Sequence, residues 1–469
     1  MTLPHLPWLE LAILTPLIGA AWVLRMKVSH VARQWSAGFA GCACVCAVAA
    51  WLDFQPGGRG ATEVRILGRE IFKLDDFSAP LLPLAALLFF LATVATLRSK
   101  TPRSSFVRTL ISEAIVLALF SSRQPWLVIG LLAAEVVPPW LELRAQGKSA
   151  RVFLLHMTLF VGLMIAGQTC VTAQPGGQVP GAWGGVLLLA AILMRNGIVP
   201  FQCWMTDLFE HATFGTALLF IAPMTGAYAA VRLVRPIAPE WVLHGIGLLS
   251  LITAVYASGL ALVQREARRF FCHLFLSHSA IALVGLEMGS EIGLTGALCV
   301  WPSVSLGLGG LGLTLRALEA RRGRLALDRF QGLYDHTPTL AMFFGLTGLA
   351  SVGFPGTFGF VGTDMIVEGA VESYPLVGVA VVVAVALNGI AVVQTYFRLF
   401  SGARHDSSVS LKVRTRERIA VLALAALILL GGFVPQPWVV SRHRAAEEIL
   451  APRDRPPTPT TRPPDPVRI

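Results

Sequence analysis

Apolar stretches, separated by short polar breaks, recur from one end of the chain to the other. A helix needs about 20 such residues to cross the hydrocarbon core of a bilayer, so the pattern predicts a succession of membrane-spanning helices. Fourteen candidate spans fall near residues 7–25, 32–52, 77–97, 107–122, 124–142, 151–172, 182–203, 212–234, 240–263, 270–289, 291–315, 338–365, 376–399 and 418–437. Only Arg123, Gln124 and Pro125 part the fourth from the fifth. The first stretch has no basic flank before it and no small-residue cleavage site after it, so it reads as a retained span and not as a signal peptide.

Composition agrees with that pattern and limits what else the chain can hold. Apolar residues make up 55% and charged residues 14% of 469, and the mean hydropathy is +0.66, which leaves no room for a large soluble domain. The expected fold is an all-α polytopic membrane protein. Its expected organisation is helices 1–3 over residues 1–106, a first five-helix unit over 107–235, a second over 236–400, a fourteenth helix over 401–440, and a proline-rich disordered tail over 441–469.

The net charge of +11 reports orientation. With the N-terminus outside, roughly two thirds of the 38 Lys and Arg fall in inward-facing loops, as basic residues retained on the cytoplasmic side would. That asymmetry predicts fourteen crossings with both termini outside a bacterial-type inner membrane. It gives no reason to expect a nucleic-acid partner.

Three other features have ordinary explanations or open ones. Cys42, Cys44 and Cys46 lie inside an apolar span at spacings that no tetrahedral metal site favours, and they read as core or lipid-facing thiols. The segment 53–76, with Val64, Ile66 and Leu67 ahead of Gly68, fits either a short outward hairpin or an irregular loop. No cysteine spacing suits an iron–sulfur cluster, no glycine-rich dinucleotide fingerprint follows a strand, and no haem-ligand pair stands out. Neither a cofactor nor a metal is expected, and any electron transfer belongs to partner subunits.

Ionisable residues within the spans carry more information. A charge at bilayer depth costs about 2.5–3.5 kcal/mol even on lenient scales, so it faces a protein interior or a hydrated cavity. Glu135, in LLAAEVVPPW, and Arg195, in LLLAAILMRNGIVPFQCW, are such residues. They could form a buried pair that only fixes helix packing, or a functional pair. His156, His211, His273 and His278 are weaker candidates, since a buried histidine commonly donates to a backbone carbonyl.

Helix breakers add a second pattern. Asn196, Gly197 and Pro200 interrupt the seventh span, and Gly353, Pro355, Gly356 and Gly359 interrupt the twelfth. Two broken helices, the seventh and twelfth, five spans apart point to two inverted five-helix repeats around a midplane ion path. The backbone groups freed at a break are tolerated only where protein or water can satisfy them.

Four stretches carry a family resemblance. These are NGIVPFQCWMTDLFEHAT after Arg195, TGAYAAVR at 225–232, REARRFFCHLFLSHSAIALVG at 265–285 and FPGTFGFVGTDMIVEG at 354–369. Together they resemble the antiporter-like, proton-translocating membrane subunits of respiratory NADH:quinone oxidoreductase. Related members serve cation/proton antiporters, membrane-bound hydrogenases and inorganic-carbon pumps. The resemblance covers about residues 75 to 435 and is nearest the M-type chain.

The resemblance implies a proton path. It would run from a fifth-helix glutamate and a seventh-helix lysine, through an eighth-helix lysine and an eleventh-helix His or Lys, to an exit group in the broken twelfth. Glu135 matches the first position, and Arg195 stands at the second. Met224 stands where the eighth-helix lysine is expected, and Ser303 near the eleventh-helix group. Asp364 follows the usual exit position, which is Thr363 here. Arginine keeps its proton, so Arg195 can bias Glu135 as a permanent countercharge but cannot relay. His273 and His278 are possible links in a water-mediated chain.

The function implied is therefore a proton-translocating subunit of a quinone-oxidoreductase-type complex, with no redox site of its own. Other membrane and peripheral subunits, lipid and protons would be its partners. The alternatives are the membrane half of an inorganic-carbon pump or cation/proton antiporter, and a scaffold subunit whose relay is lost at Met224 and Ser303.

Overall fold

The computed structural model describes residues 6–54, 63–66, 69–96, 103–173, 182–286, 288–403 and 415–454. The chain opens with α1 (Trp8–Leu24) and α2 (Ser29–Asp53), followed by an antiparallel hairpin of β1 (Glu63–Ile66) and β2 (Arg69–Lys73). Next come α3 (Leu81–Val94), α4 (Arg103–Phe120), α5 (Pro125–Glu135), α6 (Val137–Ala145), α7 (Arg151–Thr172), α8 (Ala182–Arg195) and α9 (Cys203–His211). The middle holds α10 (Phe214–Ile221), α11 (Thr225–Ala229) with a π-helical turn at Ala230–Val234, α12 (Glu240–Val263), α13 (Ala267–Leu286) and α14 (Glu291–Arg322). It closes with α15 (Pro338–Ser351), α16 (Phe358–Ser373), α17 (Pro375–Phe400), α18 (Thr415–Phe433) and α19 (Gln436–Asp454).

Eight of these segments are long and apolar enough to cross a membrane, counting α5 with α6 and Phe214–Val234 as single units. They divide by burial. The segment 214–234, α13 and α14 are almost wholly covered by neighbouring helices, whereas α2, α7 and α17 bury only about a third of their residues. Leu, Val and Trp side chains on that second group face outward, as suits helices in contact with lipid. The polypeptide is a multi-pass membrane protein with an inner set of helices and an outer belt.

The seventh span breaks where its sequence predicts, and two spans that read as continuous, the fifth and the eighth, are broken as well. Residues 204–211, which fall between the seventh and eighth expected spans, belong to α9 beyond the break. The fifth span breaks immediately after Glu135, because Pro138 and Pro139 have no N–H to donate back to the preceding turn. The eighth, expected to run unbroken over 212–234, is interrupted at Pro223–Met224, where Met224 adopts a left-handed conformation with φ of 55°.

One end of the bundle carries the hairpin and the C-terminal helix. There Asp75 lies 2.7 Å from Arg232 and 2.8 Å from Arg123. Burial alone would push its carboxyl up, but the two guanidiniums hold it well below the usual carboxylate range. Residues 441–454, expected as disordered tail, instead belong to α19, which leaves α18 at an 80° bend and packs across this end. Arg442, fully buried, donates to the carbonyls of Phe77 at 3.1 Å and Asp76 at 2.6 Å, and Glu448 pairs with Arg123 at 3.0 Å. The proline density that suggests disorder begins only at Pro452. Before it, the run from Trp438 to Ala451 is free of proline and can close helical hydrogen bonds. The remaining residues of the tail, 455–469, lie outside the described residues.

Further arginine–carboxylate pairs tie the opposite end, where the basic loops lie. Arg268 pairs with Glu319, and Arg321 pairs with Glu417.

Candidate functional site

The two helix breaks foreseen at residues 196–200 and 353–359 have the same local chemistry. At the first, Gly197 takes φ of 68°, its N–H bonds to Met194 O at 3.1 Å, and Ile198 N–H reaches Leu193 O at 2.9 Å. At the second, Gly353 takes φ of 73°, its N–H bonds to Ala350 O at 3.2 Å, and Phe354 N–H reaches Leu349 O at 3.1 Å. Both are helix C-caps closed by a left-handed glycine and an apolar residue, and a proline follows to stop the helix from resuming. Sequence therefore dictates each break locally.

Arg195 occupies the last residue of α8, two before Gly197. Its guanidinium Nη2 lies 3.1 Å from Glu135 Oε2, with side chains 4% and 2% exposed. Thr225, the first residue of α11 beyond the break in the eighth span, completes the cluster. Arg195 Nη2 donates to Thr225 Oγ1 at 2.8 Å, and Thr225 Oγ1 donates to Glu135 Oε2 at 2.9 Å. The Phe220 ring centroid is 4.1 Å from the Arg195 guanidinium carbon, close enough for a cation–π contact. Three broken spans thus meet at one ion pair, which is held by hydrogen bonds on one side and an aromatic face on the other.

Sequence reading missed Thr225, although its motif TGAY was visible, because the span around it reads as unbroken. It also missed Glu142 and Glu113. Glu142 is buried in α6, where it accepts hydrogen bonds from Thr216 Oγ1 at 2.6 Å and Thr213 N at 3.0 Å. Glu113 is fully buried in α4, and neither of its carboxylate oxygens has a hydrogen-bond partner. The periodic apolar pattern of the fourth and fifth spans hides both.

The remaining expected residues fall in other neighbourhoods. Met224 is buried at the break in the eighth span, and the carbonyls beside it are satisfied by α14. Ser305 Oγ donates to Ala222 O at 2.7 Å, and Trp301 Nε1 donates to Pro223 O at 3.2 Å. Ser303 lies on the other side of α14, against the backbone of Gly359 in the second break. His278, on α13, engages Leu274 O through Nδ1 at 2.8 Å and faces the backbone of Ser351. His273 engages Arg269 O at 2.8 Å, and His156 engages Val152 O at 2.8 Å, the backbone role expected of isolated histidines. His211 sits 3.1 Å from Asp207 near the basic-loop end.

Asp364 does not take its expected place on the central axis. It lies on the exposed face of α16, with Glu368 one turn further along, while Thr363 turns back to donate to Gly359 O at 2.9 Å. One residue of offset from the family position is 100° of helix rotation, enough to carry a side chain from the interior to the outside.

The profile of the family described as "NADH:quinone oxidoreductase/Mrp antiporter, TM" matches residues 154–388. NADH-quinone oxidoreductase subunit 13 of Thermus thermophilus is 24% identical over 400 residues, which is 80% of this chain and 84% of that one. NADH-quinone oxidoreductase subunit M of Rickettsia prowazekii is 25% identical over 277 residues, 57% of this chain and 56% of that one. Among solved structures, a chain of respiratory complex I from Thermus thermophilus superposes with a TM-score of 0.85 at 22% identity, covering 95% of this chain and 99% of that one.

Proposed function

The chain belongs to the NADH:quinone oxidoreductase/Mrp antiporter membrane family, and from that premise we propose that it is an antiporter-like subunit that moves protons for a quinone-oxidoreductase-type complex. The buried Glu135–Arg195–Thr225 cluster carries this reading. A carboxylate that accepts a guanidinium and a hydroxyl, at the meeting of three helix breaks, can hold a proton in one arrangement and release it in another. Arg195 stays charged throughout, so its approach and withdrawal set how tightly Glu135 holds that proton. Thr225 links the two and couples them to the α10–α11 break.

Beyond Glu135 the path would continue past Met224 along α14 to Ser303 and the second break, with His278 beside it. Met224 cannot carry a proton, so transfer at that step depends on water. Redox chemistry would lie in partner subunits. Asp364 supports the existence of such partners. It is exposed near the middle of α16, and an ionised carboxylate facing lipid at that depth costs about 2.5–3.5 kcal/mol. A neighbouring subunit covering this face would remove the cost.

The proposed arrangement has fourteen crossings, both termini outside a bacterial inner membrane, and the basic loops in the cytoplasm. An impermeant thiol reagent applied to intact cells should leave a single cysteine placed in the loop 321–332 unlabelled. Strong labelling there would reverse the orientation. The functional test is proton uptake by proteoliposomes containing the assembled complex. Glu135→Gln should lower flux on the order of a hundredfold or more, the scale of losing an acid–base group, while assembly is retained. Undiminished flux in an assembled complex would favour a scaffold role.

A further inference from the structure

A proton site at Glu135 needs a connection to the basic-loop end. A cavity of about 20 Å³ touches Glu135 and is lined also by Arg108, Thr109, Ser112 and Thr216. A second, again about 20 Å³, shares Thr109 and Thr216 with the first and extends past Thr96, Ser105 and Arg316 to Thr213. Each is large enough for one water molecule and is lined by groups that can hydrogen-bond it. Thr213 is exposed and Ser105 partly so, which places the far mouth at the basic-loop end.

Glu142 lies behind the lining, hydrogen-bonded to Thr216, the hydroxyl that both cavities share. It follows Glu135 by seven residues on the far side of the Pro138–Pro139 kink and is 1% exposed. Its Oε2 accepts from Thr216 Oγ1 at 2.6 Å, and Arg108 Nη2 approaches the same oxygen at 3.6 Å. Thr216 and Arg108 therefore touch Glu142 and also line the cavity that reaches Glu135. The Nε of Arg108 is buried without a partner beside that cavity. Glu142 also accepts from Thr213 N–H at 3.0 Å and so caps the start of α10, but capping does not require the hydroxyl it binds to line the cavity that reaches Glu135. A route for protons does.

We infer that Glu142 is a second proton-holding carboxylate and that the Arg108–Glu142–Thr216 junction is the entrance through which Glu135 is loaded. This rests on the proposed role of Glu135. A proton arriving by way of Thr213 and Ser105 protonates Glu142. Glu142 then passes one proton to the Thr216 hydroxyl or to water in the cavity as that group releases one to Glu135, so neither intermediary changes its net proton count. Arg108, permanently charged, holds Glu142 in place and does not relay.

The test uses proteoliposomes of the assembled complex. Glu142→Gln and Thr216→Val should each lower proton flux on the order of tenfold or more, whereas Thr216→Ser, which keeps the hydroxyl, should hold near the parent rate. In parallel, Thr216→Cys should react with a small water-soluble methanethiosulfonate added from the basic-loop side and not from the other, above the labelling of the parent chain. Full flux in Glu142→Gln and Thr216→Val, in preparations where Glu135→Gln has lost flux, overturns the entrance and leaves the role of Glu135 standing. Full flux in Glu135→Gln overturns both. If Glu142→Gln fails to assemble, the decision passes to the other variants: equal flux in Thr216→Val and Thr216→Ser, with no labelling of Thr216→Cys, refutes the entrance.

Discussion

The two broken helices share a backbone and differ in what surrounds it. Each closes with a left-handed glycine, an apolar residue and a proline, and each presents a polar side chain two residues before the glycine. At the first break that side chain is Arg195, bound to Glu135 and Thr225. At the second it is Ser351, which donates to Gly348 O at 2.7 Å and has His278 facing its backbone. Ser277 and Asn388, hydrogen-bonded at 2.8 Å, are the buried polar pair nearby. The first break carries a buried ion pair, and the second keeps the geometry with neutral groups beside it. A broken helix therefore makes polar backbone available but does not by itself place a charge there.

The largest expected effect comes from removing the charge that only the first break has. Arg195→Leu leaves Glu135 buried without its partner, a change that costs about 3–5 kcal/mol in such pairs. Ser351→Ala, at the matching place, should cost about 1 kcal/mol or less, since it removes only a neutral hydroxyl bonded to its own helix. Thermal unfolding of the purified complex compares the two. Combining Arg195→Leu with Glu135→Gln should recover part of the loss, and no recovery would mean that the arginine acts through packing.

A smaller effect tests what the two breaks share. Gly197→Ala and Gly353→Ala each force a side chain into the left-handed region, at about 1–2 kcal/mol. At Gly197 the new carbon would also lie 3.1 Å from the Met205 methyl, and at Gly353 it would lie 3.3 Å from Thr363 Oγ1. Both neighbours are side-chain ends that can give way, so the two losses should be similar. A much larger cost at one site would mean that the second-half break is not the structural counterpart of the first.

How much of this was legible in the sequence depended on the range of the interaction. Hydrophobic runs of bilayer length identified the membrane class, and the glycines and prolines at Gly197 and Pro200 and at Gly353 and Pro355 marked both breaks, because a C-cap is closed by residues within one turn of each other. Glu135 and Arg195 stood out as charges among apolar neighbours, since placing an ion in a span is costly wherever it ends up. The hairpin at 63–73 left two readings open, because its pairing depends on a docking contact such as that between Phe72 and Ser122.

Tertiary structure decided the rest. That Glu135 and Arg195 meet, that Thr225 joins them, and that the α5 kink directs Glu142 toward Thr216 depend on how α5, α8 and α10 are packed, and no local pattern contains that. Asp364 shows the limit most plainly. The sequence placed it one residue from a family position, and the rotation of α16 put that one residue on the outside. Residues 441–454 show the converse, where a helix is held by buried Arg442 against carbonyls more than 300 residues earlier in the chain. Local chemistry fixes where a helix starts, stops and breaks. Which of its faces meets a partner is a property of the whole bundle, because burial and countercharge are supplied by residues far away in sequence.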